Sequence, residues 1–323
     1  MQSNPLGRAI RIATAATLFS LAAWPAFAGA PMAGISAPGY YRFMLGNFEV
    51  TALSDGTVDL PVEQLLQEPA EKTVAALDKA FLDTPLEVSD NAYLINTGKR
   101  LVLIDAGAGS LFGPTLGKLV DNLKASGYRP EQVDDIFLTH MHPDHAGGLS
   151  ANRVIQFPNA VVHAERHEAG YWLSQENLDS APEASRGFFQ GAMALVEPYV
   201  QAGKFSPFDG AIELLPGLRS YPSFGHTAGH TSYMIESAGR KLLLMGDLIH
   251  VPAVQLDHPE VTISFDTDPE GASTSRSRIF NQAAGERTLV AGAHLPFPGI
   301  GHLRASGKTW QWLPANFTRM PAR

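Results

Sequence analysis

Four residues able to bind a metal stand within six positions of the segment Thr139-His140-Met141-His142-Pro143-Asp144-His145-Ala146-Gly147-Gly148. Imidazoles and carboxylates buried without partners are costly, so a fold that encloses this segment must bring it a cation. The apolar run 133–139 leads straight into it, which predicts a buried strand delivering the cluster to a loop at a sheet edge. His140 and His142 alternate, so in extended backbone both point to one side. The chain then turns at Pro143, which lets Asp144 and His145 face a second ion. The two glycines permit the tight turn that follows. Imidazole with carboxylate suits zinc or a similar divalent ion. The chain has no cysteine, which excludes thiolate ligands, disulfides and a cysteine nucleophile.

Three later segments repeat the device of a polar residue at the end of an apolar run. They are Gly225-His226-Thr227-Ala228-Gly229-His230, Gly246-Asp247 after Leu242-Leu243-Leu244-Met245, and Ala293-His294 after Leu289-Val290-Ala291. Each predicts a ligand on a loop, with several loops converging on one face. His230, His163, His167, His258 and His302 read as core or surface histidines.

Between these segments strand-like and helix-like pieces alternate. Residues 48–60 read as a hairpin turning at Asp55-Gly56. Residues 62–86 have helical spacing with breaks, and 113–127 read as a helix ending at Gly127. Residues 92–105 read as a hairpin turning at Thr97-Gly98, and 161–163 as a short strand before a helix at 164–174. The 93–105 hairpin is echoed at 233–247, and both end on an aspartate. Two similar β-rich halves packed sheet to sheet, with helices outside, would explain the echo. No Pro-, Gly- or Ser-rich linker divides the 323 residues, so one domain is expected over 29–323.

The N-terminus reads differently. Arg8 and Arg11 precede an uncharged, mostly apolar run at 12–23, and Ala26-Phe27-Ala28 follows. That order predicts a secretory signal peptide at 1–28, cleaved near Ala28-Gly29, and a periplasmic or secreted protein. The run is too short to span a bilayer, which needs roughly 20 residues. The formal charge of −8 becomes −10 without the two leader arginines. An acidic chain with no basic run argues against a nucleic-acid partner, and a neutral, apolar substrate is expected.

The ligand order His-x-His-x-Asp-His, then a later His, an Asp and a final His, resembles the metallo-β-lactamase superfamily over nearly all of residues 29–323. The resemblance implies an α/β fold, the αββα sandwich of two mixed β-sheets flanked by helices. It implies one metal on His140, His142 and His226, a second on Asp144, His145 and His294, and Asp247 bridging both. True β-lactamases lack that aspartate, so Asp247 argues against their activity. Ala37-Pro38-Gly39-Tyr40-Tyr41-Arg42-Phe43, Leu111-Phe112-Gly113-Pro114, Gly187-Phe188-Phe189-Gln190-Gly191 and Phe297-Pro298-Gly299-Ile300-Gly301-His302 more specifically resemble methyl parathion hydrolase and its relatives. That family implies two divalent ions, zinc or else cobalt or manganese, and a homodimer. It also implies a metal-bridging hydroxide that attacks organophosphate triesters.

Two positions depart from that family. Leu65 stands where it places a pocket arginine, and His250 where it places a leucine. The related acyl-homoserine lactonases carry a carbonyl-directed tyrosine three residues past the bridging aspartate, where this chain has His250. Lactones and aryl esters are therefore expected substrates of at least equal rank. Asp144, Asp247 and His250 are the expected catalytic residues, and Asp105 the expected outer partner of a metal-bound histidine. Leu65, Phe112, Trp172, Phe188 and Phe265 are candidates for an apolar substrate pocket or for ordinary core. The competing expectations are an acyl-homoserine lactonase, a thiolester hydrolase or persulfide dioxygenase on the same scaffold, and a metal-binding module without catalysis.

Overall fold

Each short apolar run becomes a strand buried on both faces, and two sheets result. The computed structural model describes residues 32–34 and 37–320, so the expected leader lies outside the described residues. The first sheet opens with β1 (Tyr40–Leu45) and β2 (Phe48–Leu60). Helices α1 (Val62–Leu65) and α2 (Ala70–Lys79) then lead to β3 (Leu86–Asn96) and β4 (Leu101–Ile104). Helix α3 (Leu119–Ala125) precedes β5 (Asp135–Phe137), and α4 (Pro143–Ala146) follows it. A small ribbon of β6 (Ser150–Ala151) and β7 (Val154–Ile155) precedes β8 (Val161–His163). The strand order is β1-β2-β3-β4-β5-β8. The pairing is antiparallel up to β4 and parallel from β4 to β8.

Helices α5 (Arg166–Trp172), α6 (Gln175–Ser180) and α7 (Glu183–Gln201) connect the halves. The second sheet then runs through β9 (Glu213–Leu215), β10 (Leu218–Pro222), β11 (Thr231–Ser237) and β12 (Arg240–Leu244). After α8 (Pro252–Gln255) and α9 (Pro269–Glu286) it finishes with β13 (Leu289–Ala291), β14 (Ile300–Ser306) and β15 (Thr309–Pro314). Its strands lie in consecutive order from β9 to β15, and only the β12–β13 pair is parallel.

Side-chain alternation along a strand sorts the core into layers. Val102, Ile104, Leu242 and Leu244 meet between the sheets. Leu101 and Leu103 face outward onto α3 and α7 through Leu119, Leu123, Leu195 and Tyr199. Leu243 and Met245 face Ile279 and Phe280 of α9. The result is the αββα sandwich. The echoed hairpins occupy equivalent places in the two sheets. Each ends on an aspartate, is followed by a helix, and pairs in parallel with the next strand, β5 or β13. Among the described residues no helix is long and apolar enough to cross a membrane.

Two local expectations are corrected. Asp55-Gly56 is no turn, because β2 runs on through it with a register shift between Ser54 and Gly56. The hairpin turn lies earlier, at Gly46-Asn47. Gly56 is required at the irregularity because its φ is +131°, and a Cβ there would meet Thr115 O at 2.0 Å. The displaced Asp55 carboxylate accepts the backbone N–H groups of Ala108, Gly117 and Leu119 at 3.0, 2.8 and 2.9 Å. That anchor draws 108–118 across the sheet edge, with Gly113 and Gly117 at positive φ. Only 119–125 of the expected 113–127 helix therefore forms.

Candidate metal centre and pocket

All the expected ligands arrive at the carboxyl ends of central strands. Residues 140–145 follow β5, His226 follows β10, Asp247 follows β12 and His294 follows β13. The ligand atoms of His140, His142 and His226 form one cluster, and those of Asp144, His145, Asp247 and His294 a second, each within 4.8 Å. Asp247 joins the two. Its Oδ1 is 3.1 Å from His145 Nε2. Its Oδ2 is 3.1 Å from His294 Nε2, 3.4 Å from His226 Nε2 and 3.7 Å from His140 Nε2. Asp144 Oδ2 lies 3.6 Å from both His145 Nε2 and His294 Nε2.

The outward ring nitrogens are already committed. His145 Nδ1 donates to Asp105 at 3.0 Å, His226 Nδ1 to Asp266 at 2.7 Å and His294 Nδ1 to Ser89 O at 2.9 Å. His140 Nδ1 lies 3.1 Å from the Thr139 hydroxyl, which itself donates to Asp105. These bonds fix the tautomers so that the Nε2 lone pairs converge inward. Buried His140 Nε2, His145 Nε2 and Asp247 Oδ1 have no hydrogen-bond partner. Orphaned acceptors at this density fit divalent cations and little else.

Electrostatics say the same. Burial opposes charge on His145, but Asp247, Asp144 and Asp105 outweigh it and raise its pKa well above the ordinary value. Burial is likewise outweighed at His226 by Asp247 and Asp266, and at His294 by Asp247 and Asp144, so each is pushed up to about 9. Without a cation the site recruits protons in its place. Burial, joined by neighbouring imidazoles, holds His140 and His142 well below the ordinary range. Burial also opposes the charge of Asp247, but the surrounding histidines overcome it and hold the carboxyl well below its usual range.

Asp105 stands where expected, with three bonds to Thr139 and His145 and φ of +62°. Sequence reasoning missed its counterpart Asp266, which also accepts Ile263 N–H at 3.0 Å. It also missed buried Glu168 on α5. That carboxylate accepts Met141 N–H at 2.8 Å, the Thr227 hydroxyl at 2.6 Å and Gly229 N–H at 2.8 Å, tying the two histidine loops together. No spacing announces either residue. His230 is structural, since its Nε2 accepts the Asp247 backbone N–H at 3.1 Å and its Nδ1 meets Ser223.

A cavity of about 140 Å³ opens on the ligands. Its floor is His142, Asp144, Asp247, His250 and His294, and its walls are Val58, Leu60, Phe112, Leu116, Phe188 and Phe265, with Asp90 among them. Two pocket expectations are corrected. Trp172 is buried in the core and packs edge-on behind His142, with centroids 5.4 Å apart. Leu65 packs beside Phe265 in the cluster under α1 and α2. Trp172 lies one layer too deep to line the cavity, and half-buried Leu65 packs beside its wall and is not among its lining residues. His250 does reach it, with Nε2 3.1 Å from Asp247 Oδ2, stacked on His294 at 4.9 Å. Burial lowers its pKa to about 4, so the ring is neutral.

Comparison with known proteins agrees with this architecture. Residues 86–294 match the family model described as the metallo-beta-lactamase superfamily. A crystal structure described as hydrolase AbOPH in the beta lactamase superfamily superposes with a TM-score of 0.84. Its identity is 37%, over 88% of this chain and 100% of that one. The dizinc quorum-quenching lactonase AidC superposes with a TM-score of 0.80 at 26% identity, over 87% and 99% of the two chains. A probable metallo-hydrolase of Mycobacterium bovis is 27% identical over 51% of this chain and 55% of its own length. An N-acyl homoserine lactonase of a Bacillus species is 29% identical over 48% and 62%. The match thus spans little more than half the length of those curated relatives. The two ligand clusters and the dizinc relative support a dinuclear divalent-metal site, and the chain belongs to the metallo-beta-lactamase superfamily.

Proposed function

We propose that this hydrolase cleaves neutral, apolar esters, with lactones, N-acyl homoserine lactones among them, as its first substrate class and organophosphate triesters as its second. The carrying observation is an apolar-walled cavity that opens directly onto two ligand clusters joined by Asp247. Such a cavity suits an uncharged ligand held by a few polar groups. The lactonase relatives support the lactone reading.

His140, His142 and His226 would hold one ion, and Asp144, His145 and His294 the other, with Asp247 between them. Zinc bound there would polarise a carbonyl or phosphoryl oxygen and lower the pKa of a bound water. The chain supplies the rest. The side chain of Asp144 is 27% exposed, unlike the sealed histidines, so its carboxylate can take a proton from water in the cavity. The Nε2–H of His250 donates to Asp247 Oδ2 at 3.1 Å, from where it can be shared with a carbonyl oxygen held beside Asp247. Phe112, Phe188 and Phe265 displace water and hold the apolar part of the substrate.

The test compares kcat/KM for an acyl-homoserine lactone, an aryl lactone, a phosphotriester, a thiolester and a β-lactam, together with metal content. Fastest turnover of a lactone by protein carrying two zinc ions is expected. Fastest turnover of the thiolester or the β-lactam, or a single iron per chain, would overturn the reading.

A further inference from the structure

Apart from Asp247, whose oxygens face the ligand histidines, every other buried carboxylate around the centre is satisfied. Asp105, Glu168 and Asp55 each take three donors, and Asp266 takes two. Asp90 is the exception. It sits on β3 opposite Gly56, is 2% exposed and lines the cavity. Its Oδ2 has no hydrogen-bond partner, and among the described residues no donor reaches either oxygen. It belongs to none of the candidate ligand groups, which include His226, Asp247 and His250 as a third. The neighbouring cavity wall, Val58, Leu60, Phe112 and Leu116, offers no side-chain donor.

A buried acceptor without a partner destabilises the folded protein. Such a cost is tolerated where something outside the chain supplies the donor. The cavity is where a substrate lies, and a substrate N–H or O–H is the donor the wall lacks. A carboxyl group can accept through an oxygen in either protonation state, so the contact does not depend on its charge.

We propose that Asp90 is a specificity-determining residue that accepts a hydrogen bond from an N–H beside the scissile ester. The group it selects is the amide N–H of an acylamino lactone, in preference to lactones and triesters that lack a donor. The inference rests on the ester-hydrolase reading above and adds the feature by which the site ranks esters. A site built to hydrogen-bond a substrate group discriminates strongly against the analogue without it, because its own buried partner is then stranded.

The test uses the metal-loaded enzyme and two lactones that differ in one atom pair, an N-acyl homoserine lactone and the α-acyloxy lactone in which oxygen replaces N–H. Wild type should favour the N–H substrate by about tenfold or more in kcat/KM. Asp90→Val, chosen because valine suits a buried strand, should collapse that ratio toward one. Asp90→Asn, which keeps an acceptor oxygen, should retain part of it. Titration with the matching acylamino lactam and its N-methyl form should show the same loss of preference in binding alone. Asp90→Val should also melt at a higher temperature than wild type, because it removes an unpartnered buried carboxyl. An unchanged ratio would overturn the assignment, and so would a lowered melting temperature with loss of zinc, which would make Asp90 structural. If wild type hydrolyses neither lactone nor a phosphotriester, the ester-hydrolase reading fails; if it hydrolyses the phosphotriester alone, the role of Asp90 fails. If it hydrolyses both lactones equally, only the role of Asp90 fails.

Discussion

His226 and His145 show what a local pattern can and cannot announce. Both are visible in sequence because they stand in glycine-framed or histidine-dense segments. Of their outward partners, Asp105 was legible because it closes an apolar hairpin. Asp266 was not, because the 40 residues separating it from His226 carry no periodic signal. The structure makes the two carboxylates equivalent, so their removal should have similar effects. Asp266→Ala and Asp105→Ala should each lower zinc affinity or activity by about 10–100-fold. Competition with a zinc chelator measures this, and an Asp266→Ala protein with wild-type affinity would contradict it. His250 is the residue that should separate substrates. A lost oxyanion donor costs on the order of 3 kcal/mol in barrier, and leucine enlarges the apolar wall. His250→Leu should therefore lower lactone turnover more than phosphotriester turnover. Equal losses in the two specificity constants would show that His250 supports Asp247 and does not choose the substrate.

Elements were legible where an apolar run is buried on both faces, as β4 and the Leu242–Leu244 part of β12 are. They were illegible where one buried carboxylate overrides the local signal. Asp55-Gly56 has hairpin-turn composition, yet the aspartate anchors 108–118 and glycine fits the strand irregularity. Glu168 works at the same scale, because α5 uses it to join the loop of His140 to the loop of His226. Removing it strands three buried donors, Met141 N–H, Thr227 Oγ–H and Gly229 N–H. At roughly 1–3 kcal/mol for each unmade bond, Glu168→Leu should cost about 3 kcal/mol or more in urea unfolding. It should also reduce the zinc retained. A stability loss below about 1 kcal/mol would mean that the two loops hold their places without the bridge.

At the scale of the molecule the echoed hairpins gave away the two-sheet plan, and the sandwich sets four strand ends around one acidic pit. That pit makes folding, protons and metal a single linked system. An ordinary imidazole titrates near 6.5. In the metal-free protein His226 and His294 are pushed up to about 9 and His145 is raised well above the ordinary value. Their contribution to stability is fully present below about pH 6.5. Above that the folded state holds more protons than the unfolded one, and the contribution is lost as pH rises through about 9. His140, His142, His230 and His250 act oppositely. Burial lowers them all, His230 to about 3 and His250 to about 4, so below about 6.5 the unfolded chain takes up more protons and stability falls on the acid side. Metal-free protein should therefore be most stable near pH 6.5 and weaken toward pH 9. Zinc competes with the same protons, so its affinity, and with it the stabilisation by mass action, should grow over that range. Thermal melts at pH 6.5, 7.5 and 9, with chelator or with micromolar zinc, read both effects. The gap between the two curves should widen with pH, and curves that stay parallel would show that the raised histidines are not the ones that receive the metal.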